Sequence, residues 1–566
     1  MAKIGAFTFV LHSHLPYARQ AGMWPHGEEW VHEAIADTYV PILDGLYALR
    51  DAGAPFHLTI GITPILAEQL SDQLIIENFI SYAAERAAWA ATDVTRFEQS
   101  GETELRDVAR FYHHWYARVL TSFQDRYQRN ILGAFKTLQD EGLIEIATSA
   151  ATHGYLPLVS RDSTIHAQLA VGMATYQRHF GKPATAVWLP ECAYRPAIEE
   201  GSNGEAVRRP GIESFVAAAG LEVFFSETHT VEGGAPVGKA AGEAIGPYAM
   251  IPRRYAMQVN KDVQLEPGTT FQPYWVGDAA GQVAVLGRNE RTGKQVWSGT
   301  YGYPGDFAYR EFHRKDGVSG LQYWRIGGKE LDLGEKPPYE PEVAQQRVRD
   351  HADHFVSLVE ELLGQYHADT GKYGVISSAY DTELFGHWWF EGADWLKAVL
   401  ERLAKSETVE LASASAMVEE HRPTEVLSLP ESSWGAGGNH FTWLNVDTQW
   451  MWPVVHRSEL RMEQLVERFP DAEGTLAEVL NQAARELLLL ESSDWPFLVT
   501  TGQAKDYATQ RFTEHVDRFE KLAEAAESIG SNGGQTPPWV DELRYRDNPF
   551  PTIDYRVFAE RQGRTD

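Results

Sequence analysis

Two carboxylic acids stand in apolar, aromatic company. Glu191 lies in WLPECAY and Asp381 in SAYDTELFGHWWFEG, each just past an apolar run. Burial raises a carboxyl pKa, and two acids in different environments divide their roles, one ionised and the other holding a proton. Glycoside hydrolysis needs that division: two carboxyl groups flank the scissile bond, about 5–5.5 Å apart when configuration is retained and further apart when water attacks directly. The plainer alternative is that each acid caps a helix or pairs with an arginine such as Arg195 or Arg310.

A second constellation is HSHLPY, residues 12–17. His12 and His14 are two apart, so a strand presents both on one side. An HxH pair is also how a metal site begins when a third ligand such as His153 or His229 joins it, which makes a zinc-dependent deacetylase or mannosidase-like enzyme the rival reading. The other role for these histidines is hydrogen bonding to sugar hydroxyls, and no compact second ligand motif accompanies them. SSWGAGGNHFTWLN sets Trp434 and Trp443 around glycines that let a backbone approach a ligand, and indole faces suit the C–H faces of sugar rings. Packing between domains is the alternative for these tryptophans. ESSDWPF brings Asp494 and Trp495, read either as a helix end against the core or, for Asp494, as a substrate-binding group.

The elements that must position these residues are legible as short apolar runs. Seven strands are expected, at 4–11, 56–61, 143–149, 185–189, 221–226, 283–286 and 374–379. Most are separated by helical patterns, the first over residues 31–50, which is a parallel-sheet signature. Continuous apolar runs imply strands buried on both faces. Just past the strands stand His12 and His14, Thr63, His153, Glu191, Glu227 with His229, Arg288 with Glu290, and Asp381. Polar residues at every carboxyl end describe the rim of a barrel rather than the single switch point of a doubly wound sheet.

The expected fold is therefore α/β, an incomplete (β/α)7 TIM-like barrel over residues 1–405. It carries a helical insertion at about 65–140 and an active-site loop region at about 229–280. A mainly helical module follows over 406–566, where strands are expected to cease, with a turn-rich connection at 528–538 and a tail packing back through Trp539, Phe550 and Tyr555.

Composition narrows the partners. The chain has 566 residues and a formal charge of -29 without a basic tract, which argues against nucleic acid. No apolar run has membrane-spanning length, and no basic start or cleavage site precedes the first strand. Cys192 is the lone cysteine, so no internal disulfide forms. Cytoplasm is the expected compartment.

In their order along the chain, these motifs resemble glycoside hydrolase family 57, particularly its 1,4-α-glucan branching enzymes. The resemblance runs through HSHLPY (12–17), GITP (61–64), WLPECAY (188–194), AYDTELFGHWWFEG (379–392), SSWGAGGNHFTWLN (432–445) and ESSDWPF (491–497), nearly the whole chain. It implies an incomplete (β/α)7 barrel and a C-terminal helical domain that walls a glucan cleft. Glu191 matches the family's nucleophile and Asp381 its acid/base. His12, His14 and His153 match donor-site histidines, and Trp297, Trp434 and Trp443 match tryptophans that hold the chain. Arg288 and Asp494 complete the expected substrate contacts, and neither metal nor cofactor is implied.

The implied activity is a double displacement that cuts α-1,4 bonds and forms α-1,6 branches on amylose or a glycogen-like polysaccharide, by a monomer or small homo-oligomer. One departure bears on the acceptor. Branching members carry a loop with a tyrosine near its tip, whereas residues 233–248 here read GGAPVGKAAGEAIGPY, with Tyr248 only at the far end. A hydrolase or 4-α-glucanotransferase of the same family, and a noncatalytic glucan-binding protein, are the competing readings.

Overall fold

The computed structural model describes residues 3–200, 207–234, 268–298, 301–328 and 330–560. All seven expected strands are present: β1 (Gly5–Ser13), β2 (Leu58–Ile62), β3 (Ile144–Ser149), β4 (Ala186–Trp188), β5 (Val223–Ser226), β6 (Ala284–Gly287) and β7 (Gly374–Asp381). They pair in parallel in the order β7-β1-β2-β3-β4-β5-β6. Just beyond β6, Arg288 bridges Ser377 of β7, and Asn289 N donates to Ser377 O at 2.9 Å. The sheet thus curls into an incomplete barrel.

Strand periodicity explains both the packing and the rim. Phe7, Phe9 and Leu11 of β1 join Leu58, Ile60, Ile144, Ile146, Val187, Phe224, Val285 and Ile376 in one hydrophobic cluster. Ala6 and Val10 join the alternate residues Ala147, Ala186, Trp188, Phe225, Ala284, Val375 and Ala379 in the other. Successive side chains of a strand point to opposite faces. His12 shares the parity of Ala6 and Val10, and Asp381 that of Val375 and Ala379, so both fall on the small-residue face. His12 and Asp381 are register partners across β1 and β7.

The expected helical insertion is present as helices Pro64–Leu70, Gln73–Ser100, Thr103–Thr121 and Ile131–Asp140. The C-terminal part contains Trp452–Arg468, Gly474–Leu490, Asp494–Thr501, Lys505–Asn532 and Pro538–Arg546. Phe550 and Tyr555 are buried in the cluster those helices share with the barrel, and Trp539 packs against it.

Two expectations are corrected. Strands do not cease at residue 405: Val409–Leu411 pairs in parallel with β1, and Val426–Leu427 with Tyr274–Val276. The stretch 528–532 is not a turn but the last part of helix Lys505–Asn532. Among the described residues no helix is long and apolar enough to cross a membrane.

Candidate active site

The rim of the barrel and the C-terminal helices enclose a cavity of about 520 Å³. Glu191 and Asp381 both line it, with His12, His14, His153, Trp434, Trp443 and Asp494. The sequence expectations that meet here come from six places in the chain. Glu383, Trp388, Trp24, Trp30, Phe312 and Phe497 line it too.

Glu191 sits on a tight turn after β4, with φ 63° and ψ 23°; Cys192 has φ 48° and His153 φ 59°. Left-handed backbone costs a side-chain-bearing residue on the order of 1–3 kcal/mol and persists only where surroundings impose it. Here Trp434 N donates to Glu191 O at 3.0 Å, Ser493 N donates to His153 O at 3.0 Å, and Tyr194 bridges Ser432. The strained residues are thereby tied to the two segments that cover them.

The Glu191 carboxylate accepts hydrogen bonds from Trp434 Nε1 to Oε2 at 2.7 Å and from Ser493 Oγ to Oε1 at 2.8 Å. Its surroundings therefore suit a carboxylate, which only accepts. Trp434 also packs against Trp188, with ring centroids 5.1 Å apart. Trp443 stacks on Tyr155 at 4.4 Å, and a Cβ on Gly435 would stand 2.5 Å from its ring, so only glycine fits there.

The histidines form a stack. His14 lies face to face with His153 at 3.9 Å, and His12 stacks on Trp188 at 4.6 Å. His12 Nε2 is 3.0 Å from His153 Nε2, His14 Nδ1 is 3.1 Å from Thr63 Oγ1, and His14 Nε2 is 3.1 Å from Asp494. The nitrogens of His14 are thus spent on a hydroxyl and a carboxylate, while His12 and His153 face each other through Nε2. Among the described residues, triads with converging ligand atoms are Glu410, Glu420 and His421, and Glu486, His515 and Asp547, neither of which lines this cavity. Burial opposes a charge on His14, but the carboxylates of Asp494, Glu191 and Glu383 together outweigh it, and the His14 pKa is raised.

Asp381 ends β7, and Glu383 follows in the first turn beyond it. Burial pushes the Glu383 carboxyl up to about 7; the Tyr39 hydroxyl bonded to it pulls the other way, and Asp381 adds to the rise. Glu383 lies inside AYDTELFGHWWFEG and Ser493 inside ESSDWPF. Neither has a local signature, because what distinguishes them is burial and a distant partner.

Other expected residues lie elsewhere. Arg288 forms a buried ion pair with Glu227 and is not among the described residues lining the cavity. Glu290 faces outward and pairs with Lys294 at 2.7 Å. Trp297 ends helix Glu290–Trp297 beside Trp388, ring centroids 6.3 Å apart, and it is Trp388 that reaches the cavity. Arg310 donates to His387 O at 3.1 Å and lies over Phe390. Tyr248 lies outside the described residues.

The chain matches the model of Glycosyl hydrolase family 57 over residues 8–430 and that of the 1,4-alpha-glucan branching enzyme C-terminal family over 454–558. It is 45% identical to the 1,4-alpha-glucan branching enzyme TK1436 of Thermococcus kodakarensis over 97% of this chain and 78% of that protein. The crystal structure of TK1436, in complex with glucose and additives, superimposes with a TM-score of 0.89 at 44% identity, covering 99% of this chain and 97% of that one. The GH57-type branching enzyme of Pyrococcus horikoshii gives 0.86 at 41%, with the same coverage. The α-amylase AmyC of Thermotoga maritima gives 0.80 at 29%, covering 99% of both chains. With the seven-stranded incomplete barrel, the paired acids at its rim and a family model matched from β1 to beyond β7, the chain belongs to glycosyl hydrolase family 57.

Proposed function

We propose that Glu191 is the nucleophile and Asp381 the general acid/base of this 1,4-alpha-glucan branching enzyme, a member of a retaining family. Glu191 attacks the anomeric carbon of an α-1,4-linked glucan, the bond from that carbon to O4 breaks, and Asp381 gives its proton to the departing O4. A 6-hydroxyl of a second glucan segment then loses its proton to Asp381 and attacks the same carbon. The ester to Glu191 breaks, and an α-1,6 branch with retained configuration results.

The observation that carries this reading is the seat of Glu191: a carboxylate lining an aromatic-walled cavity shared with Asp381, fixed by one donor on each oxygen. A nucleophile oriented in advance needs no reorganisation when it attacks. His14 and Asp494 are proposed to bind sugar hydroxyls, with Trp388 and Trp443 as apolar walls.

The decisive measurement is intact-mass and peptide analysis after incubation with a slow fluorinated donor. A glycosyl adduct on Glu191 is expected, and a label on another residue would sink the assignment. Amylose, the proposed donor, tests the acceptor as well. New α-1,6 linkages in the proton NMR spectrum are expected, whereas rising reducing ends without them would mean hydrolysis through a loop that lacks a central tyrosine.

A further inference from the structure

One hydroxyl from the C-terminal part stands between the nucleophile and the histidines. Ser493 is fully buried. Its Oγ is 2.8 Å from Glu191 Oε1 and 2.9 Å from His153 Nδ1. The hydroxyl has one proton to give and an ionised carboxylate has none. The Ser493 proton therefore points to Glu191, and the contact with His153 closes only when Nδ1 carries a proton and donates to Oγ.

The next contact, His12 Nε2 to His153 Nε2 at 3.0 Å, holds a single proton between two nitrogens. In a neutral His153 protonated at Nδ1, Nε2 is an acceptor, so His12 supplies that proton.

We propose that Ser493 is a positioning residue that completes a one-way hydrogen-bond chain, His12 Nε2–H to His153 Nε2, His153 Nδ1–H to Ser493 Oγ, and Ser493 Oγ–H to Glu191 Oε1. The chain fixes the tautomers of both histidines and the plane of the nucleophile's carboxylate, and it rests on the reading of Glu191 as nucleophile. His153 cannot stand in for Ser493, because its Nδ1 is 3.7 Å from Glu191 Oε1, beyond hydrogen-bond reach. Trp434 restrains only Oε2. The next residue, Asp494, holds His14. One short C-terminal segment thereby helps to set the barrel's catalytic geometry, and a barrel without it lacks the hydroxyl donor to Glu191 Oε1.

Neutron diffraction from perdeuterated crystals tests the chain directly in the unaltered protein. Deuterons are expected on His12 Nε2, His153 Nδ1 and Ser493 Oγ, the last aimed at Glu191. A deuteron on His153 Nε2, or a Ser493 hydroxyl aimed at His153, overturns the proposal. In solution, Ser493→Ala is expected to lower kcat about 10- to 100-fold, with KM for amylose changed less than about threefold. The acidic limb of kcat/KM is expected to move to higher pH. Ser493→Thr, which keeps the hydroxyl, is expected to recover most of the loss. A folded Ser493→Ala enzyme with unchanged kcat and pH profile overturns the proposal as well. Failure of the nucleophile reading would show differently, as an adduct on another residue with the deuteron pattern intact.

Discussion

His14 Nε2 lies 3.1 Å from both carboxylate oxygens of Asp494, so a histidine just past the first strand is clamped by an acid 480 residues further along the chain. The rim of the barrel is thus held from two sides, by its own strands and by the start of helix Asp494–Thr501. That arrangement makes substitutions in the C-terminal part legible as changes at the active site.

Asp494→Asn removes the charge that raises the His14 pKa against burial. A group whose folded pKa lies above its unfolded value adds stability that is complete below the unfolded pKa and is lost as pH rises through the folded one. The variant is expected to be less stable by about 1–2 kcal/mol at pH 5 and to approach the parent at alkaline pH. Thermal denaturation across pH measures this, and a loss independent of pH would contradict the pairing.

Glu383 ionises near pH 7 beside Asp381, against an ordinary value of 4.5. Between those values the folded state binds the extra proton, so this group's contribution falls by on the order of 2–3 kcal/mol as pH rises from about 4.5 to 7. Glu383→Gln mimics the protonated form and is expected to flatten that part of the stability profile. It also removes a negative charge close to Asp381, and the alkaline limb of kcat is expected to move to lower pH.

Trp434→Phe keeps a ring against Trp188 while deleting the Nε1 donor to Glu191 Oε2. A lost hydrogen bond to a charged group is worth about 1.5–3 kcal/mol, so kcat is expected to fall about 10- to 100-fold with KM little changed. A rise in KM alone would make Trp434 a sugar platform instead.

Gly435→Ala places a Cβ 2.5 Å from the Trp443 ring, which is itself backed by Tyr155. Overpacking of this kind costs about 1–3 kcal/mol. A lowered midpoint of thermal unfolding is expected, together with weaker binding of maltooligosaccharides measured by calorimetry.

Chelation with EDTA is expected to leave branching activity unchanged, because His12 Nε2 and both nitrogens of His14 and of His153 are engaged with one another, Thr63, Ser493 and Asp494. Loss of activity that zinc restores would revive the metal reading of HSHLPY.

The barrel was legible in the sequence because its cause is local. Seven apolar runs rich in β-branched residues mark seven strands, and a period of two assigns His12 and Asp381 to the same face as Ala6, Val10, Val375 and Ala379. The order of motifs likewise indicated which acids stand on the rim. Very short strands escaped, since Val426–Leu427 and Val409–Leu411 are defined by the edge they join rather than by any pattern of their own.

The end of helix Lys505–Asn532 escaped for a related reason. Gly and Ser in SIGSN signal a turn, but the apolar stripe of Phe519, Leu522, Ala523 and Ala526 carries the helix onward. Gly530 belongs there because a Cβ would meet the Phe469 ring at 2.3 Å. Tertiary packing overrides propensity at such a contact.

By itself the sequence determined the strands, the face each side chain takes and the two acids at the rim, because periodicity is a property of neighbouring residues. Only the tertiary structure decided that Ser493, 302 residues beyond Glu191, aims its hydroxyl at that carboxylate, that Glu383 is buried beside Asp381, and that Arg288 turns to Glu227. Hydrogen-bond partners and desolvation depend on which distant elements pack together, and no local pattern carries that information.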